Sequence, residues 1–150
     1  LTDGASVCLL AAEETAHELG LEPRMRLVGY AYAGVEPHLM GLGPVPATQR
    51  VLERAGLTLD DVGLIELNEP FAVQVLSWCD ALGVDPEDPR LNPDGGAIAC
   101  GHPLAATGVR LLAQLADGLE RRPEARFGLT ALCVGLGMGA ALLWESTRHG

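Results

Sequence analysis

The 150-residue sequence predicts an α/β domain: helices layered on a mostly parallel five-stranded sheet that finishes in an antiparallel hairpin. Three observations carry this. Apolar β-forming runs alternate with helix-length stretches, the pattern of strands joined by helical crossovers. Glycine or proline punctuates the changes of period. The last two apolar runs are separated only by Gly135-Leu136-Gly137, too short for a crossover, so they pair antiparallel.

In chain order, residues 5–10 form a short apolar run, and AAEETAHELG reads as a helix that Gly20 stops. The linker Leu21-Glu22-Pro23 follows. Residues 25–33 (MRLVGYAYA) are rich in β-formers and predict a strand. A Gly/Pro loop at 41–46 leads to the helix ATQRVLERA, which Gly56 closes. GLIEL at 63–67 is a short strand. Asn68 follows it with the shape of a helix N-cap before Pro70 and the helix FAVQVLSWCDALG. After a Pro/Asp loop, GGAIACGHP reads as an apolar strand, and a helix runs from Pro103 to about Glu120. FGLTALCV and GAALLWES are the final strands. The sum is βαβαβαββ, preceded by one strand and one helix. Residues 104–115 (LAATGVRLLAQL) are apolar nearly all round, so this helix should be covered on more than one side, by a second sheet from elsewhere in the chain or from another subunit.

Composition narrows the chemistry. All ten basic residues are arginine, which excludes mechanisms that need a lysine amine, such as a P-loop or a Schiff base. Twenty acidic residues leave a formal charge of −10, and no basic run could track a phosphate backbone, so nucleic acid is excluded as a partner. Cys8, Cys79, Cys100 and Cys133 form no CxxC pair and suit neither a zinc site nor a disulfide scaffold. Reduced thiols in a cytoplasmic protein, with no metal, are expected. Residues 127–144 carry no charge over 18 positions, but the four glycines among them fit two strands around a turn better than a membrane span.

Three junctions place reactive side chains where parallel-sheet domains form ligand sites. The first is Asn68-Glu69-Pro70-Phe71, in which Asn68 caps a helix or serves a site, and Glu69 favours the helix N-terminus electrostatically. The second is the run 95–103, where glycines admit close backbone approach and His102 stands just before Pro103, either as a structural turn residue or as a catalytic group. The third is Cys133-Val134-Gly135-Leu136-Gly137-Met138-Gly139. No helix follows these glycines, which argues against a dinucleotide site. Cys133 is either a packed core thiol or an acid/base whose meaning depends on His102 lying nearby.

Taken in register, NEPFAVQ, GGAIACGHPLAATG and CVGLGMG resemble the three C-terminal signatures of the thiolases, the acetyl-CoA acyltransferases. LTDGAS and GVEPHLMGLGPVPAT extend the resemblance over essentially the whole chain. It implies a thiolase-like fold of two similar halves stacked in five layers. Residues 1–22 would then be the last strand and helix of the first half, and 23–150 the second. By position, His102 matches the histidine that activates the nucleophilic cysteine and donates to the thioester oxygen. Cys133 matches the thiol that moves the α-proton, Asn68 the asparagine that holds a water in one oxyanion hole, and Gly135 the glycine whose N–H serves the other.

The resemblance also implies an acyl-CoA substrate, no bound cofactor (coenzyme A being a substrate), and a homodimeric or homotetrameric parent. The family's nucleophilic cysteine lies in the first half, so the isolated chain should not turn over. Ala105 and Leu136 stand where the family has glycine, and Pro70 where it usually has alanine. A decarboxylating condensing enzyme of the same fold would lack a catalytic cysteine in the final hairpin, so Cys133 argues for a thiolase. A non-catalytic partner subunit would tolerate decay of Asn68, His102 and Cys133, all of which are intact.

Overall fold

A computed structural model describes residues 2–149. Its elements are α1 (Glu13–Glu18), β1 (Met25–Gly34), α2 (Pro44–Ala55), β2 (Val62–Leu67), α3 (Ala72–Leu82), α4 (Ala97–Cys100), α5 (Leu104–Arg121), β3 (Phe127–Val134) and β4 (Met138–Ser146). The sheet runs β1-β4-β3-β2. β4 pairs antiparallel with both β1 and β3, and β2 pairs parallel with β3.

The α/β layering and the C-terminal hairpin match the expectation; the strand count and direction do not. Among the described residues there are four strands in a mixed sheet, because β4 inserts between β1 and β3 and runs against both. Residues 95–103 hold the short helix α4 rather than a strand. Gly95 turns at φ +81°, and the Glu69 carboxylate accepts the Ile98 N–H at 3.1 Å, which fixes the first turn of α4. Beside β2, a single parallel bridge between Leu91 and Ile65 takes the place of the fifth strand. Residues 5–10 form no strand, and Val7, Leu9 and Leu10 are exposed. Asn68 is not a helix cap either: α3 begins at Ala72, with Phe71 in the cap position.

Alternation along the strands sorts the side chains into two cores. On one face Ile65, Leu67, Leu129, Ala131, Ala141 and Leu143 pack against Val51 and Leu52 of α2 and Trp78 of α3. On the other, Leu64 and Trp144 pack against Leu115 and Leu119 of α5. Helix α5 buries one side here, while Leu104, Ala105 and Ala113 remain exposed, consistent with a helix that needs a second cover. No helix among the described residues is long and apolar enough to cross a membrane.

The start of α2 and the start of β4 meet backbone to backbone. A Cβ on Gly139 would lie 2.0 Å from the Gly43 carbonyl carbon, with no flexible side chain to yield. Gly139→Ala is therefore expected to cost about 1–3 kcal/mol or more, read as a lowered denaturant midpoint at unchanged slope.

Candidate active site

The C-terminal ends of β2 and β3 define one edge of the sheet, and the candidate residues gather there. The Asn68 N–H donates to the Ala131 carbonyl at 2.9 Å, carrying the parallel ladder one residue past Leu67. Asn68 is fully buried. Its Nδ2 lies 3.4 Å from His102 Nε2, and its Oδ1 has no hydrogen-bond partner among the described residues.

A second asparagine fixes this end of β2. Asn92 Oδ1 accepts the Leu67 N–H at 2.8 Å, and its Nδ2 donates to the Leu67 carbonyl at 2.9 Å. The same Nδ2 donates to Glu69 Oε1 at 2.6 Å, while Glu69 Oε2 holds Ile98. A Cβ on Gly96 would stand 2.3 Å from the Glu69 carboxyl carbon and push this carboxylate out of the clamp. The chain from Asn92 through α4 to His102 is thus tied to the residues that flank Asn68.

His102 is partly buried between α4 and the first turn of α5, and its Nδ1 lies 2.6 Å from Thr107 Oγ1. Burial pushes its pKa below the ordinary histidine value, and the positive charge of Arg110 pushes the same way. The imidazole is accordingly neutral at pH 7 and able to accept a proton. Residues 2–6 line its flank: Ser6 Oγ donates to the Ala106 carbonyl at 2.6 Å, and Gly4 packs on Pro103.

Cys133 is the penultimate residue of β3, two positions beyond the Ala131 that pairs with Leu67, so it stands at the same end of the sheet as Asn68. It is buried, and burial pushes its thiol above the ordinary cysteine value. The hydrogen bonds found among the described residues include none between Cys133 and His102 or Asn68. The fold therefore joins Asn68 to His102 directly and places Cys133 one strand over.

Gly135 sits in the exposed β3–β4 turn with open space around its Cα. Leu136 follows at φ +68° with its side chain 85% exposed. Non-glycine residues in that region cost about 1–3 kcal/mol and concentrate at functional turns. The turn is held by the Val35 N–H, which donates to the Gly137 carbonyl at 2.7 Å.

Three contributors escaped the sequence reading. Glu69 serves the N-terminus of α4 and clamps Asn92 instead of serving the helix that follows it in sequence, and Asn92 lay inside what reads as a plain Pro/Asp loop. Thr107 was visible only as a polar side chain in an otherwise apolar helix. Cys79 is a core residue, while Cys8 and Cys100 are exposed. No group of three His, Cys, Asp or Glu side chains among the described residues is arranged to hold a metal ion.

A sheet edge with a buried Asn–His pair and a thiol at the adjacent strand end defines a class that comparison identifies. Residues 21–146 match the family model described as thiolase, C-terminal domain, and the chain belongs to the thiolase family. It is 51% identical over 145 residues to the 3-oxoadipyl-CoA/3-oxo-5,6-dehydrosuberyl-CoA thiolase of Escherichia coli (strain K12), covering 97% of this chain and 36% of that protein. It is 49% identical over 146 residues to the 3-ketoacyl-CoA thiolase of Vibrio vulnificus (strain YJ016), covering 97% of this chain and 38% of the relative. The acetyl-CoA acetyltransferase of Bacillus anthracis superposes with a TM-score of 0.85 at 42% identity, over 90% of this chain and 34% of that one. The chain thus spans little more than a third of the length of these relatives.

Proposed function

We propose that this chain supplies the oxyanion-stabilising and proton-transferring side of a thiolase active site. The nucleophilic cysteine would come from the complementary portion present in its longer relatives. The observation that carries this reading is the Asn68–His102 pair. A fully buried amide with an unpartnered Oδ1 stands against a partly buried, neutral imidazole at the mouth of the sheet. Buried polar atoms are normally satisfied, so an acceptor left open beside a histidine suits a group that engages a water or substrate.

In thiolysis of a 3-ketoacyl-CoA, His102 Nε2 takes the proton of the nucleophilic thiol, and the thiolate attacks the 3-keto carbon. The carbon–carbon bond then breaks and its electron pair passes to the α-carbon of acetyl-CoA as an enolate. Cys133 protonates that carbon; its thiolate then takes the proton of the coenzyme A thiol, whose sulfur displaces the acyl group, and the departing enzyme cysteine recovers its proton from His102. Negative charge develops on oxygen in the tetrahedral adduct and again in the enolate. Asn68 with its water and His102 serve one of these, and the Gly135 N–H the other. Each fixed donor aimed at such an oxygen is typically worth about 3–4 kcal/mol.

Cys133 starts from a raised pKa in this chain, which suits the acid role, giving a proton to the enolate carbon. No bound cofactor enters the scheme, and the assembled enzyme would be a homodimer or homotetramer. Leu136, exposed beside Gly135, would form part of the acyl pocket wall.

The test is reconstitution. The chain is mixed with the cysteine-bearing portion of the E. coli relative, and thiolysis of a 3-ketoacyl-CoA by coenzyme A is followed. Turnover by the mixture and none by either part supports the proposal; turnover by the chain alone contradicts it.

A further inference from the structure

We propose that Thr107 is a positioning residue that holds His102 in the tautomer carrying its proton on Nδ1, which makes Nε2 the lone-pair nitrogen that acts as base. The catalytic meaning of this rests on the thiolase reading, but the geometry does not. Thr107 is fully buried, one turn into α5, and its Oγ1 lies 2.6 Å from His102 Nδ1. That hydroxyl also lies 3.2 Å from the Pro103 carbonyl, which can only accept. With its own proton directed there, Oγ1 keeps lone pairs for an Nδ1–H donor.

The other side of the ring agrees. Asn68 Nδ2, a donor only, faces Nε2 at 3.4 Å, which places a lone pair on that nitrogen. Two anchors on different elements, one on a helix and one at a strand end, thus specify the same tautomer and hold the ring between them. When Nε2 takes a proton, the cation keeps its Nδ1–H bond to Thr107 and gains an Nε2–H able to donate to an oxyanion. One imidazole then serves first as base and next as oxyanion donor. Without Thr107 the Nδ1 proton would lose its buried acceptor, and the ring would be free to change tautomer or turn.

The experiment uses the ¹⁵N-labelled 150-residue chain, with two-bond proton–nitrogen correlation of the imidazoles recorded above the titration of His102. Wild type is expected to show His102 protonated on Nδ1. Thr107→Val, close in shape but without the hydroxyl, is expected to lose that preference, and Thr107→Ser to keep it. A wild-type ring protonated on Nε2, or an unchanged tautomer in Thr107→Val, overturns the proposal. Should Thr107→Val not fold, as judged by loss of amide dispersion, the wild-type and Thr107→Ser spectra decide alone. Failure of the reconstituted enzyme to turn over would overturn the thiolase reading while leaving the tautomer result standing, so the two failures are distinguishable.

Discussion

Replacing His102 with alanine in the reconstituted enzyme is expected to lower kcat for thiolysis by about 10³–10⁴-fold, because in the proposed mechanism one ring performs two tasks. General-base help from a positioned side chain contributes about 10²–10⁴-fold, and loss of one oxyanion donor costs about 10²–10³-fold. The two losses are not additive, since the same nitrogen acts in sequence. Asn68→Ala removes only the oxyanion contribution and should fall by about 10²–10³-fold. The pH profile gives the sign. Burial and Arg110 hold His102 below the ordinary histidine value, so the base form persists on the acid side of that value. The acid limb of kcat/KM should therefore lie below the ordinary histidine value. An acid limb at or above it, or His102→Ala no weaker than Asn68→Ala, would contradict the double role.

Replacing Glu66 with glutamine is expected to stabilise the chain by on the order of 2–3 kcal/mol above pH 7. Glu66 lies on β2, the last strand of the sheet, with 1% of its surface exposed, and neither carboxylate oxygen has a hydrogen-bond partner among the described residues. Burial raises its pKa from the ordinary 4.5 to about 7, with Arg110 opposing and Asp94 and Glu69 adding to the rise. The folded state holds this proton more tightly than the unfolded chain. Its contribution is therefore fully present below about pH 4.5 and is lost as pH rises through about 7. Glutamine keeps the shape and stays neutral throughout. Urea midpoints across this window should converge for the two proteins at low pH and separate as pH rises. Parallel curves for wild type and Glu66→Gln would show that Glu66 ionises in the fold as freely as in water.

Much of the architecture was legible because local chemistry and tertiary packing agree. Gly56 ends α2, the residues of α3 carry Trp78 into the core, and the short link between β3 and β4 permits only antiparallel pairing. The fifth strand was misread because GGAIAC is apolar without a decisive period. What decides it is the Glu69 carboxylate, 29 positions away from Ile98 in the sequence. Parallel content was overestimated for a related reason: alternation of strands and helices says nothing about where the last strand inserts, and β4 lies between β1 and β3.

The candidate site was legible in its chemical groups and illegible in its supports. Asn68 and Cys133 stand at strand ends and His102 just before α5, junctions where pattern reading looks for reactive groups. Asn92 and Thr107 matter only through contacts that bridge 25 and 5 positions respectively. A local reading of Asn68 as a helix cap was reasonable from its neighbours. It fails because residues 69–71 turn before α3 begins, leaving the amide against His102.

The most direct test of the central claim, that Cys133 works at the same mouth as the Asn68–His102 pair, is exchange of the α-hydrogens of acetyl-CoA with solvent deuterium by the reconstituted enzyme. Wild type is expected to catalyse the exchange. Cys133→Ala is expected to abolish it while still forming the acyl-cysteine intermediate, whose formation depends on His102. Exchange that persists in Cys133→Ala, or loss of acylation together with exchange, would contradict the assignment of proton transfer to this thiol.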